Sequence, residues 1–234
     1  MQAVDIMTTN VITVQPDTGV REIAGLLLKY RISAVPVVDG DQHVLGIVSE
    51  GDLMRRPEND TDRRPSWWLE DLFSIPEGTS EYIKTHGRKA ADVMTPKVVT
   101  VAKETPLHEI ASLLEKDHIK RVPVVDDGRL IGIVSRANLL HGLTAMGAQI
   151  TGSNSPDDKA IRETLIGVLS NAAGLDTRLI NVIVNDGVVQ LWGLIDSPTE
   201  KKAAQVAAEN IPGVKSIQNN LAQVPFGSFG TWVE

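Results

Sequence analysis

DIMTTNVITV (residues 5–14), RISAVPVVDG (31–40) and VLGIVSEGDL (44–53) decide the fold, because the chain writes all three a second time. The second versions are DVMTPKVVTV (92–101), HIKRVPVVDD (118–127) and LIGIVSRANL (130–139). Asp5 and Asp92 stand 87 residues apart, and about half of the aligned positions are identical. A self-repeat fixes architecture ahead of local detail. Two copies of one small unit predict a pseudo-symmetric pair with a cleft between them.

Each copy reads β-α-β-β-α. In the first, residues 11–14 are a β-branched run ended by Pro16, and Asp17 and Thr18 offer helix caps. Val20, Ile23, Ala24, Leu27 and Tyr30 fall on one helical face. Residues 35–38 are a buried-type strand, Asp39-Gly40 a turn, 44–48 a return strand, and 50–55 a second helix. The second copy repeats the order: a strand at 98–101, a helix capped by Thr105 with Pro106 at its first position, and a strand at 122–125. The Asp127-Gly128 turn, a strand at 130–134 and a helix from Arg136 complete it. Gly46 aligns with Gly132 at an offset of 86, one residue less, which a hairpin loop tolerates.

The expected divisions are a first unit at 3–56, an insertion at 57–91, a second unit at 92–143, a linker at 144–154, a third unit at 155–224 and a tail at 225–234. The insertion opens polar and then carries Trp67, Trp68, Leu69, Leu72 and Phe73. Two readings stand: a short helix packed on the pair or on a second subunit, or a lid whose His86, Arg88 and Lys89 bring positive charge to a ligand. The third unit reads α-β-β-α-β. Ser155-Pro156 with Asp158 starts a helix whose face is Ile161, Leu165, Val168 and Leu169. Residues 179–184 alternate, Asn185-Asp186-Gly187 is a hairpin signal, and 188–194 return. Ser197-Pro198-Thr199-Glu200 reads as a capping box, Ile211-Pro212-Gly213 ends the helix, and 214–224 is a last strand. The tail carries Phe226, Phe229 and Trp232. The class is α/β in composition, α+β in arrangement.

With 42% hydrophobic and 23% charged residues among 234, the chain is ordinary globular material. Cysteine is absent, which excludes disulfides and thiolate chemistry. The N-terminus has no signal-peptide pattern, and no apolar run nears the roughly 20 residues of a membrane span, so a cytosolic chain is expected. A net charge of −7, from 23 basic and 30 acidic residues, opposes general attraction to nucleic acid.

Enzyme motifs are missing. The histidines (43, 86, 108, 118 and 141) show no metal-ligand spacing, and there is no GxxxxGK[ST], GxGxxG or GxSxG. Neither catalysis nor a metal is expected. What remains is a strand ending in Ser and a helix beginning beyond it: Ser49-Glu50-Gly51-Asp52 in copy one, Ser135-Arg136-Ala137-Asn138 in copy two. Free N–H groups at a helix start attract anions, and a carboxylate at Asp52 can accept both hydroxyls of a ribose. Equally, Ser49 or Asp52 can serve only as a helix cap.

The ordered, doubled pattern MT, TV, VPVVD and GIVS resembles the CBS domain family, and two such domains in tandem resemble a Bateman module. That resemblance implies adenosine ligands (AMP, ADP, ATP or S-adenosylmethionine) in inter-repeat clefts, and a homodimer of CBS pairs. Carried over residue by residue, cleft A has Ser49 and Asp52 facing Thr95, Thr100, Ile119, Lys120, Arg121, Val122 and Pro123. Ile119 and Pro123 would wall the adenine, and Lys120 and Arg121 suit phosphates. Cleft B has Ser135 and Asn138 facing Thr8, Thr13, Ile32, Ser33, Ala34, Val35 and Pro36. There Asn138 replaces the carboxylate, and Ser33-Ala34 replaces the basic pair, so cleft A is expected to be the better site.

The third unit resembles a BON domain through Ile180, Val182, Val184, the Asn185-Asp186-Gly187 turn, Trp192-Gly193, Ser197 and Ile211-Pro212-Gly213. That family resemblance implies a phospholipid or protein partner. Six basic and eight acidic residues over 157–224 do not favour anionic lipid by charge. The expectation is a ligand-sensing regulator; the alternative is a constitutive scaffold whose clefts are filled by side chains.

Overall fold

The computed structural model describes residues 1–54, 79–145 and 156–223. Copy one contains α1 (Ala3–Ile6), α2 (Val20–Tyr30), β1 (Ala34–Val38), β2 (Val44–Ser49) and α3 (Glu50–Met54). From the insertion comes α4 (Thr79–His86). Copy two contains α5 (Ala90–Val93), β3 (Val101–Ala102), α6 (Leu107–Lys116), β4 (Arg121–Asp126), β5 (Arg129–Ser135) and α7 (Arg136–Ala145). Trp67, Trp68, Leu69, Leu72, Phe73 and the aromatic tail lie outside the described residues, as does Arg55.

The core strand of each copy carries apolar residues on both faces. AVPVV of β1 is buried at every position, which is why it shows no alternation. It pairs antiparallel with β2, as β4 does with β5. Asp127 and Gly128 both take positive φ (48° and 78°), the backbone of a tight primed turn. Copy one spends its additional residue in the same place. There Gln42 takes φ 68°, and the Asp39 carboxylate accepts from the Asp41 and His43 N–H groups at 2.9 Å each.

Two expectations about the starts of the copies are corrected. The first strand shrinks to a single parallel bridge, Val14 to Val37, in copy one and to the two residues of β3 in copy two. Its earlier residues, Val98 and Val99, wall a cavity instead of joining a ladder. The helices also begin later. Gly19 and Pro106 are the N-caps, and Thr18 closes the preceding turn by accepting from Gln15 N–H. Pro106 is extended (ψ 147°), so it precedes the helix instead of starting it.

The leaders are exchanged. Thr8 bridges Ile133 through two 3.0 Å backbone bonds, and Thr95 bridges Ile47 at 2.9 and 3.1 Å. Thus Ala3, Ile6 and Met7 complete the core of copy two, while Ala90 and Val93 complete that of copy one. Gly46 and Gly132 are bare because the Met94 and Met7 thioethers occupy the space a Cβ would need. Each copy therefore finishes its partner's core, which makes the pair one packing unit.

The third unit contains α8 (Pro156–Asn171), a 3₁₀ turn (Thr177–Leu179), β6 (Ile180–Asn185), β7 (Val188–Ile195), α9 (Pro198–Glu209) and β8 (Ser216–Gln223). Its sheet order is β6-β7-β8, with β7 and β8 parallel. The expected face of α8 packs on Val182, Val184 and Leu191, and α9 contributes Ala204 and Ala208. Asp158 does more than mark a helix start: it accepts from the hairpin N–H groups of Asp186 (3.0 Å) and Gly187 (2.8 Å). The capping box is altered too. Ser197 Oγ accepts from Glu200 N–H, but the Glu200 carboxylate accepts from Asp196 N–H, not from Ser197.

Gly193 sits at φ 131°, and a Cβ there would run into the Leu179 carbonyl oxygen. We expect Gly193→Ala to cost about 2–3 kcal/mol, since the backbone region is glycine-only and the obstruction is main chain. Urea unfolding checks this. A midpoint equal to that of the unaltered chain would show that the strand yields.

Candidate ligand clefts

The GIVS strands end at the clefts because each Ser closes the helix that follows. Ser49 donates to Asp52 Oδ2 from its N–H (2.8 Å) and its Oγ (2.6 Å). Ser135 treats Asn138 Oδ1 identically, at 2.8 and 2.6 Å. Both copies therefore use one oxygen of the fourth residue as a cap, and the two differ only in the remaining group. Asn138 turns its NH₂ to the Ile6 carbonyl at 3.0 Å, pinning α7 to the exchanged leader. Asp52 has no donor to offer there. Its Oδ1 instead lies 3.9 Å from Lys84 Nζ of α4.

Cleft A encloses a cavity of about 470 Å³. Ser49, Asp52, Thr95, Ile119, Lys120 and Arg121 line it together, although they come from two copies and three separate segments of the chain. Thr100 is exposed, Pro123 is buried in β4, and Val122 turns into the core of copy two; none of these three lines the cavity. The lining also includes residues that sequence reasoning missed: Glu50, Met54, Lys97, Val98, Val99, Asp117, His118 and Arg136. Lys97 and His118 were within reach, since they neighbour Thr95 and Ile119. Lys84 was not, because only tertiary packing brings α4 to Asp52. Of the three proposed lid cations, none lines the cavity. His86 stacks on Tyr82, and Arg88 and Lys89 donate backbone N–H bonds to Asp92.

Ser33 and Ala34, assigned to cleft B, line cleft A. The correction has a simple cause: the two clefts adjoin across the pseudo-twofold. Arg121 crosses that boundary, donating to Ser33 Oγ (2.8 Å) and the Ala34 carbonyl (3.2 Å). Its Nε–H is buried without a hydrogen-bond partner. Burial holds its pKa below the ordinary guanidinium value, and Glu50 opposes the shift. Of the other cleft B residues, Thr8 and Thr13 are half-buried, Ile32 packs on the core of copy one, and Pro36 is buried in β1.

The third unit docks against this pair. Ile183, on the face of β6 turned away from its own core, is wholly buried in the core of copy two. Burying a side chain of that size contributes about 2 kcal/mol. Asn181 Nδ2 donates to the Ile6 carbonyl at 2.9 Å, the oxygen Asn138 also uses. Arg162 donates to the Val182 carbonyl (2.8 Å) and the Met7 carbonyl (2.6 Å). Its burial pushes its pKa down to about 10, with the Asp5 carboxylate opposing. It remains a cation at neutral pH.

His141 of α7 stacks on Trp192 of β7, ring centroids 4.6 Å apart and 8° from parallel. Burial depresses the imidazole pKa below its ordinary 6.5. When pH falls below about 6.5, an unfolded or undocked His141 takes a proton that the docked one resists, so the seam loses stability with acid. We expect wild-type unfolding midpoints to fall more between pH 7 and 5.5 than those of His141→Phe. Equal pH profiles would remove His141 as the cause.

Among the described residues no helix is long and apolar enough to cross a membrane, and no group of three or more His, Asp or Glu could hold a metal ion. The CBS domain family model matches residues 3–59 and 90–145, and the BON domain model matches 157–225. Over 154 residues the chain is 35% identical to the CBS domain-containing protein CBSX2, chloroplastic, of Arabidopsis thaliana, covering 58% of this chain. It is 34% identical over 155 residues to the uncharacterized protein MJ1426 of Methanocaldococcus jannaschii, covering 59% of this chain and 89% of that protein. The crystal structure of CBSX2 in complex with AMP aligns with a TM-score of 0.53 at 31% identity, covering 62% of this chain and 98% of that one. The chain spans about three fifths of the length of the plant relatives it matches, 61% of CBSX2 and 57% of CBSX1.

Proposed function

Because the chain belongs to the CBS domain proteins, with two copies in tandem and a BON domain after them, we propose that it is a regulatory protein that binds an adenine nucleotide in cleft A. Occupancy there would change what the BON unit contacts. The observation that carries this reading is the cavity joining Ser49 and Asp52 of one copy to Lys120 and Arg121 of the other. Its volume of about 470 Å³ falls in the roughly 300–1,000 Å³ range of small-molecule sites. The carboxylate suits a ribose diol. The cations Lys120 and Arg121 in the lining suit phosphate oxygens. CBSX2 binding AMP supports a ligand of the same class here; ADP, ATP and S-adenosylmethionine share the recognised adenosine.

The reading is regulatory, not catalytic, and a cytosolic location fits it. A homodimer through the CBS pairs fits as well, since Leu140 and Leu143 of α7 are 62% and 65% exposed. The BON unit suits a protein partner better than a lipid. Its sheet face at Ile183 is already covered by protein, and its charge does not favour anionic membranes.

Calorimetric titration of the whole chain with AMP, ADP, ATP, S-adenosylmethionine, NAD and a cyclic dinucleotide tests the ligand. We expect saturation at micromolar concentrations by at least one adenosine ligand. Silence across the panel would leave a constitutive interaction protein.

A further inference from the structure

Cleft B can be located residue by residue from cleft A, because the repeat maps one onto the other. Lys97 and Asp117 line the cavity of cleft A. Their counterparts, 87 residues earlier, are Asn10 and Tyr30. Both are held by the third unit. Asn10 Nδ2 donates to Thr177 Oγ1 at 2.7 Å. The Arg178 guanidinium lies over the Tyr30 ring, 4.6 Å from its centroid, in cation–π range. These residues belong to one short turn that leads into β6, whose N-cap Asp176 accepts from Arg178 N–H.

Deeper in the same cleft, the residue matching Asp52 is Asn138. Its NH₂ is spent on the Ile6 carbonyl, beside Asn181 of β6 on the same oxygen. Contacts from the third unit thus reach both the mouth of cleft B and the leader that forms its inner side. The turn does not supply a missing phosphate site. Arg178 is paired with both oxygens of Asp176, Nε to Oδ1 and Nη2 to Oδ2, each at 2.7 Å. Its charge is therefore already met, and the positions that match Lys120 and Arg121 in the repeat are Ser33 and Ala34, which carry no charge.

We propose that the BON unit is the standing occupant of cleft B: its Asp176–Leu179 turn closes the mouth, so the intact chain takes one nucleotide, in cleft A. A second enters only when the turn lifts. Lifting it also loosens the seat of the sheet, whose face at Ile183 of β6 and Trp192 of β7 is then offered to a protein partner. The stoichiometric part rests on the nucleotide reading of cleft A; the closure part does not.

The test uses the full chain and two readouts. Equilibrium dialysis with labelled AMP should give one AMP per wild-type chain. Asn10→Ala combined with Arg178→Glu, both at exposed positions, should approach two, the second at least tenfold weaker. Amide hydrogen exchange in residues 9–13 and 30–33 should become at least tenfold faster in the same variant. Arg178→Lys, which keeps the cation over Tyr30, should stay near wild type in both. Two AMP per wild-type chain overturns the proposal, as does a double variant with unchanged stoichiometry and exchange. If AMP binds no form of the protein, the reading of cleft A fails instead. Closure is then decided by exchange alone, where unchanged protection sinks it.

Discussion

Asp52→Asn is expected to weaken AMP binding about 10- to 100-fold while leaving the fold intact. The second copy shows why the fold survives: an amide at the matching position accepts the same two bonds from Ser135 that Asp52 accepts from Ser49. The cap is therefore preserved. What changes is the other group, from a charged acceptor to an NH₂ donor. Hydrogen bonds to a charged group contribute roughly 1.5–3 kcal/mol, which corresponds to the stated loss in affinity. Titration calorimetry with AMP reads the affinity, and a thermal melt should shift by less than about 2 °C. Unchanged affinity would move the ribose contact away from Asp52. Asp52→Ala tests less cleanly, because it removes the cap as well.

Arg162→Ala is expected to cost about 3–5 kcal/mol, the range for breaking one side of a buried charged arrangement. Arg162 is 4% exposed, and its guanidinium ties β6 to the exchanged leader through the Val182 and Met7 carbonyls. Its removal leaves the Met7 carbonyl without that donor and takes the cation away from the buried Asp5 carboxylate. Urea unfolding measures the loss. Arg162→Met separates the causes: it restores the volume of the stem but neither hydrogen bond, so it should recover less than half. Full recovery would assign the seam to packing, and a loss under about 1 kcal/mol for Ala would show that the BON unit is held by other contacts.

Much of the candidate site is legible in the amino-acid sequence. Ser49, Asp52, Thr95, Ile119, Lys120 and Arg121 follow from the repeat and its resemblance, and they share one cavity. The misplaced residues have a common origin. Val122 carries the motif but lies in a strand buried on both faces, so its side chain belongs to the core. Ser33 and Ala34 sit at the pseudo-twofold, where one segment serves both clefts. Asn138 reads in sequence as a weakened ligand residue, whereas its amide pins α7 to the exchanged leader. One signal for BON docking is present in INVIVN. Ile183 is as apolar as its neighbours on the core side, which marks a strand with no solvent face.

By itself the sequence determined what local physics decides. Periodicity set the helices and strands, Asp127-Gly128 and Asp186-Gly187 set primed turns through positive φ, and the repeat set two equal copies with one carboxylate between them. The tertiary structure decided what depends on contacts across long separations. Met7 enters the core of copy two and Met94 that of copy one, Lys84 lies near Asp52, and the Asp176–Leu179 turn sits at Asn10 and Tyr30. No backbone preference encodes such choices. They follow from which apolar faces remain uncovered once the local elements exist, and burying those faces selects the arrangement.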